Sequence, residues 1–320
     1  MEDILQKLLN EIEKSISDYE KSFGDNKVFT IILAYHTGSF SPASISRQDV
    51  EVIYTFLKNK MKFIGNKKVE EFHVILHSSG GDPDAAYQIA RIIDRIGNSI
   101  ANSVVYCTPR FAKSAATLMA LGGNRIIMTE IAELGPIDPQ IYFEGQWISA
   151  KTVRDSMKYM IGTLLDLLRE KGGEINFGNV PGLQQVVNSI VDSIVGRFVG
   201  IGEYESLISY IKQLAKELLA LRMFENPSEI DNIVNNLIER YSSHGMVIDY
   251  QKAQQLGLRI EKVNDNMEDK LLQIYSNLGN LFKYIDMLGS GISEQINPQY
   301  IPTYPWNIEH GIIFLPYPNQ

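Results

Sequence analysis

Residues 74–82 read Val-Ile-Leu-His-Ser-Ser-Gly-Gly-Asp, residues 111–117 read Phe-Ala-Lys-Ser-Ala-Ala-Thr, and residues 133–140 read Glu-Leu-Gly-Pro-Ile-Asp-Pro-Gln. The first is a short apolar run suited to a strand buried on both faces, and it breaks at a glycine pair. Asp82 suits a helix N-cap and Pro83 the first helical position, so a helix follows the turn at once. The second stretch puts Ser114 where another helix begins, among the small residues Ala112, Ala115 and Ala116 of a tight turn. The third holds Asp138 in a proline-braced turn.

Outward from these stretches the pattern is regular. Residues 28–34, 72–76, 103–107 and 125–128 are apolar and β-branched, which predicts strands. Between them, residues 46–60 predict a helix with Ser46 as a possible cap, and residues 82–97 and 114–122 predict helices closed by glycines. Strands alternating with helices over short connections imply an α/β fold with parallel strands and right-handed crossovers. After Gln140 the chain turns helical. Helices are expected over 151–171, 183–198, 204–222 and 227–241, the last capped by Ser228, with a break at Gly172-Gly173 and at 179–182. A short helix over 250–256 ends at Gly257, and another covers 266–283. Residues 3–22 form an amphipathic helix that packs on its own domain or docks on a neighbouring subunit. The tail from Ser290, rich in proline, tyrosine and asparagine, reads as an extended arm.

The glycine turn and the serine turn each have an ordinary structural reading, as a strand-to-helix corner and a helix cap. Paired in one βαβ frame they offer more. Missing side chains at Gly80 and Gly81 let a carbonyl approach, so backbone amides there and at Ala115 can hold an oxyanion. A serine at a helix start gains from free N–H groups, which suits Ser114 as a nucleophile. The turn lacks the glycine spacing and lysine of a phosphate-binding loop.

Ser78-Ser-Gly-Gly-Asp resembles the oxyanion turn of ClpP proteases, and Ala112-Lys-Ser-Ala-Ala-Thr resembles the turn that holds their nucleophile. Leu134-Gly-Pro-Ile-Asp-Pro-Gln resembles the signature of the serine dehydrogenase proteinase (SDH) family, a branch of the ClpP/crotonase superfamily related to signal peptide peptidase A. Ser243-His-Gly-Met-Val-Ile-Asp, with Ala253 and Gly257-Leu258, resembles the late segment these proteases share. The resemblance implies a ClpP/crotonase-like spiral of βαβ units over residues 24–265, with a helical insertion at about 151–241. Residues 1–23 would then be an N-terminal helical extension, and residues 266–320 a C-terminal helix and tail. It also implies a serine endopeptidase acting on peptide or protein substrates, and assembly into homo-oligomers such as trimers or hexamers. A separate ATPase or partner protein is a further option. Ala116 stands where a glycine is common.

No histidine occurs between Ser114 and Gln140, so the general base is open. His244 falls where the late segment returns to the site, and an imidazole titrates in the right range. Asp138 would orient it as the third member of a triad. A lysine is the alternative, with Lys151 better spaced than Lys113; Tyr241 is a weaker option. His36, His73, His77 and His310 read as structural or surface residues.

Composition narrows the field. Of 320 residues, 44% are hydrophobic and 21% charged, which is globular. A net charge of −8 leaves no basic surplus for a dedicated nucleic-acid binder. One cysteine excludes an intrachain disulfide and, with few histidines, disfavours a zinc site; no cofactor is expected. No stretch approaches the length of an integral membrane segment, and the charged N-terminal residues hold no apolar signal core. A cytoplasmic location is therefore expected. Two other functions remain on sequence grounds: a catalytically silent oligomeric scaffold on the same fold that binds peptides or a partner, and acyl-CoA chemistry using the oxyanion hole alone.

Overall fold

The computed structural model describes residues 2–36, 43–64, 68–143, 145–171 and 183–289, together with 306–307 and 312–313. In chain order the elements begin with α1 (Glu2–Lys21), β1 (Val28–Ala34), α2 (Arg47–Ile64), β2 (Val69–His77), α3 (Pro83–Ile100) and β3 (Ala101–Thr108). Next come β4 (Phe111–Ala112), α4 (Ala115–Ala120), β5 (Arg125–Met128) and β6 (Glu133–Leu134). A hairpin of β7 (Gln140–Phe143) and β8 (Gln146–Ser149) leads into α5 (Ala150–Lys171), α6 (Leu183–Arg222) and α7 (Pro227–Glu239). The chain continues through α8 (Tyr250–Gln255), β9 (Ile260–Lys262), α9 (Asp265–Gly289), β10 (Trp306–Asn307) and β11 (Ile312–Ile313).

The fold is mixed α/β around a parallel sheet. Strands β1, β2, β3, β5 and β9 lie side by side in that order, all parallel, and β11 pairs antiparallel on the outer edge of β1. Each strand is added on the same side of the last. Right-handed crossovers then force the connecting helices onto one face, which gives the expected spiral. Ile31, Leu33, Val74, Leu76, Val104, Tyr106, Ile126 and Met128 face those helices. The alternate residues Ile32, Ala34, Ile75, Val105, Cys107 and Ile127 face the other way and are covered by α1 and α9. With both faces covered, the strands can be apolar throughout, which is why they stand out in the sequence.

Of the two dockings open to the first helix, the structure shows the first: α1 packs on its own sheet. Tyr19 anchors it, its hydroxyl 2.9 Å from His73 Nδ1 and 3.4 Å from Cys107 Sγ. His73 Nε2 lies 2.7 Å from Glu71, which pairs in turn with Arg125 at 2.8 Å. Burial pushes the Cys107 thiol up to about 12, so this sulfur is inert packing.

Several local expectations change. The helices expected over 183–198 and 204–222 are one, Leu183–Arg222; Gly200 and Gly202 weaken a helix without ending it. Gly97 does not end α3, which runs to Ile100. A side chain at Gly97 would come within 2.3 Å of Val104 Cγ2, so glycine there lets the helix lie close on β3. Ser46 does not cap α2 through its hydroxyl; Asp49 takes the Ser46 N–H at 2.7 Å. Asn226 rather than Ser228 caps α7, with Pro227 at the first helical position. Gly172-Gly173, 179–182 and His310 lie outside the described residues, as does most of the tail.

Candidate active site

Beside the large sheet runs a second, smaller strand layer. β4 pairs in parallel with β6, aligning Ala112 with Leu134. Ser78 bridges Ala112 in parallel on one side, and Ile248 bridges Leu134 antiparallel on the other. Four segments distant in sequence thus lie side by side through Ser78, Ala112, Leu134 and Ile248. Their directions put particular residues at one end of the layer. Gly80 is two residues past Ser78, Ser114 two past Ala112, and Asp138 four past Leu134. His244 is four before Ile248, which in an antiparallel segment is the same end. The ladder lines of Ala112 and Ile248 are two strand spacings apart, on the order of 10 Å.

Ser114 occupies a backbone conformation with φ 53° and ψ −120°. Among the described residues only Asn26 shares a positive φ without being glycine. Such a conformation costs roughly 1–3 kcal/mol and persists only where the surroundings enforce it. The enforcement is visible. Thr117 Oγ1 donates to Ala112 O at 2.6 Å and accepts the Gly135 N–H at 3.0 Å, tying the turn to both β4 and β6. The ordinary reading of Ser114 as a helix cap fails, because its hydroxyl makes no capping bond. Sharp strand-to-helix turns of this kind lift a serine hydroxyl clear of its own helix.

The glycine turn presses directly on this corner. Gly80 has φ 114°, and a Cβ there would lie 2.8 Å from Ser114 Cβ, 2.9 Å from Lys113 O and 3.3 Å from Ala115 N. The Gly80 amide itself donates to the buried Ser78 Oγ at 3.0 Å, so the N–H expected to face an oxyanion is already engaged, and what the residue offers the corner is its missing side chain. Gly81, with φ 145°, is pinned against Ile45 by the bonds Ile45 N–H to Gly80 O and Asp82 N–H to Ile45 O. The amides of Gly81 and Ala115 form no hydrogen bond among the described residues. Asp82 accepts from the Asp84 and Ala85 amides at 2.8 and 3.2 Å, fixing α3 just behind the turn.

His244 and Asp138 meet. His244 Nδ1 lies 2.8 Å from Asp138 Oδ1, while Gln140 Nε2 donates to the other carboxylate oxygen at 3.1 Å. Asp138 is buried and the imidazole is 28% exposed, so the ring is held from the protein side through Nδ1. The lysines are engaged elsewhere. Lys151 Nζ donates to the main-chain oxygens of Glu239 and Tyr241, closing the C-terminal end of α7. Lys113 Nζ sits 2.8 Å from Glu133, and the Tyr241 ring lies under the Arg240 guanidinium. His77 is buried against Phe111, with ring centroids 4.2 Å apart. Burial and then the Arg110 charge push its pKa down to about 4.

Two contributors were not singled out in the sequence. Ser78 locks the glycine turn, and Thr117 fixes the Ser114 turn. Ser78 was legible only as the first letter of the glycine motif. Thr117 has no sequence signal, since its role depends on β6 arriving from a distant stretch.

Residues 65–158 match the family of ClpP-like SDH-type serine proteinases. Two uncharacterized proteins of Methanocaldococcus jannaschii are similar. MJ0137 is 37% identical over 87 residues, 27% of this chain and 28% of that protein. MJ1495 is 29% identical over 119 residues, 32% of this chain and 39% of that protein. The matched stretch therefore spans well under half of either relative. Among solved structures, two of the 1510-N membrane-bound stomatin-specific protease are similar at 17% identity. One covers 75% of this chain and 80% of that chain with a TM-score of 0.38. The other, in complex with a substrate peptide, covers 76% and 78% with a TM-score of 0.41. No helix among the described residues is long and apolar enough to cross a membrane.

Proposed function

With a ClpP-like SDH-type serine proteinase segment at residues 65–158 as the premise, we propose that this chain is a serine endopeptidase with Ser114 as nucleophile, His244 as general base and Asp138 as its orienting carboxylate. The Asp138–His244 hydrogen bond at the Ser114 end of the four-segment layer carries the reading. The aspartate fixes the Nδ1–H tautomer and leaves Nε2 to take the Ser114 proton as Oγ attacks the peptide carbonyl carbon. The carbonyl oxygen becomes an oxyanion and accepts from the amides of Gly81 and Ala115, with Gly80 giving the clearance for its approach. His244 then passes the proton to the leaving amine. Water, deprotonated by His244, hydrolyses the acyl-enzyme and restores Ser114.

Labelling with a fluorophosphonate, read by intact mass, tests this. The wild-type chain gains one adduct and Ser114→Ala gains none. His244→Gln slows labelling by about a thousandfold, in the range expected for loss of a general base. A wild-type chain that takes no adduct, or a Ser114→Ala chain that still does, would overturn the assignment.

A further inference from the structure

Outside this site, the strongest unexplained feature is a cleft of about 620 Å³ between α2 and α3. Arg47, Glu51 and Tyr54 line one wall, and Tyr87, Arg91 and Arg95 the other. Lys58 adds a further cation, its ammonium 5.6 Å from the Tyr54 ring centroid. In a chain of net charge −8, three arginines and one glutamate line this cleft. The neighbouring carboxylates offset the cations at the Arg47 end and leave an excess of positive charge at the other. Asp82 and Asp84 are taken up by Arg47 at 3.3 and 2.8 Å. Glu217 accepts from Tyr87 and Gln213 at 2.5 and 3.0 Å. Arg91 reaches Tyr87 Oη at 3.2 Å, and Arg95 has no hydrogen bond or ion pair among the described residues. At this end Glu51 and Glu217 stand against three cations, Lys58, Arg91 and Arg95.

We propose that this cleft is an exosite for an acidic, extended segment of a polypeptide substrate. Spacing favours a polypeptide over a compact anion. Arg91 and Arg95 are one helical turn apart, about 6 Å along the axis. Same-face residues of an extended chain repeat at roughly 6.6 Å, so carboxylates at alternate positions meet successive guanidinia. The aromatic walls at Tyr54 and Tyr87 suit the apolar stem and backbone of such a segment. The cleft also leads to the catalytic corner. Arg47 at its near end binds Asp82, the residue after Gly81. From Asp84 to Arg95 the helix advances about 16 Å, the reach of roughly five extended residues. The acidic segment therefore lies about five or more residues from the bond held at the glycine turn. The exosite role rests on the proposed peptidase reading; the binding does not.

The test uses the full chain carrying Ser114→Ala and fluorescein-labelled peptides of alternating Glu-Ser, Gln-Ser and Lys-Ser, read by anisotropy. The Glu-Ser peptide binds, and the other two bind at least about tenfold more weakly. Replacing both arginines (Arg91→Gln with Arg95→Gln) lowers Glu-Ser affinity about tenfold without moving the melting temperature, whereas Lys216→Gln changes nothing. Equal binding of the three peptides, or full affinity in the double variant, overturns the proposal. So does displacement of the Glu-Ser peptide by anionic phosphatidylserine vesicles or by inorganic phosphate at lower concentration than by unlabelled peptide. On the Ser114 chain, hydrolysis that ignores acidic flanks would defeat the exosite and leave the peptidase standing. Binding without hydrolysis would do the reverse.

Discussion

Gly80→Ala tests the geometry of the site most directly. The new Cβ would sit 2.8 Å from Ser114 Cβ and 2.9 Å from Lys113 O. Carbon atoms prefer about 3.5–4.0 Å, so Ser114 must retreat by roughly 0.7–1.2 Å or the glycine turn must open by as much. Alanine at φ 114° adds backbone strain. Together the strained backbone and the overpacked corner should cost about 2–4 kcal/mol of stability. A displacement near 1 Å at a reacting atom costs on the order of a hundredfold in rate. The assay pairs urea unfolding with the fluorophosphonate labelling rate of the folded protein. Gly135→Ala serves as the calibration, because its Cβ would meet Lys113 Cβ at 3.3 Å without a positive φ and needs only a few tenths of an ångström. Gly80→Ala labelling at the wild-type rate, with unchanged stability, would refute the claim that this turn presses on Ser114.

Lys151→Met should lower stability by about 1 kcal/mol, the worth of carbonyl bonds at a helix end, and leave labelling within twofold; a labelling collapse would make Lys151 the base. His77 should make the protein acid-labile. The unfolded imidazole takes a proton near pH 6.5 and the buried one only near 4. Between these values the unfolded chain binds more protons, so stability falls by about 3 kcal/mol as pH drops from 6.5 to 4. Urea midpoints across that window should flatten in His77→Phe. Glu20 gives the opposite slope. Its carboxyl is buried against the Thr30 N–H at 2.7 Å and is raised to about 7. The folded chain then binds the extra proton, and stability falls as pH rises from about 4.5 to 7. Glu20→Gln should remove that component in the same titration.

The strands were legible because burial on both faces makes each an unbroken apolar run. Alternation and crossover handedness pointed to a parallel α/β sheet, and the resemblance implied the spiral. The serine and glycine turns were legible because each breaks the pattern of its element. The approach of His244 to Asp138 was expected from the resemblance and not from any pattern in the residues between them. The antiparallel bridge from Leu134 to Ile248 draws His244 to Asp138, and it depends on only two backbone hydrogen bonds with no side-chain signature. The engagement of Lys151 by α7 is likewise tertiary, since its partners are main-chain oxygens some ninety residues away. Arg91 and Arg95 carry no signal of their own in the sequence, because the cleft they line forms only where α2 lies beside α3.

Covering one face of the sheet with the first and last long helices has a consequence for how the chain is made. Lys270 Nζ donates to Asp18 O at 2.9 Å and Asn277 Nδ2 to Glu11 O at 3.1 Å, across separations of 252 and 266 residues. A ribosome-bound chain that has already emitted its core strands cannot fully shelter Ile32, Ile75, Val105 and Ile127 until α9 emerges. For much of synthesis the nascent protein therefore presents a flat, greasy strand surface half-covered by α1. Such surfaces are what chaperones engage and what aggregates in their absence. A stop codon just before α9 should thus yield not a shorter soluble chain but an insoluble one.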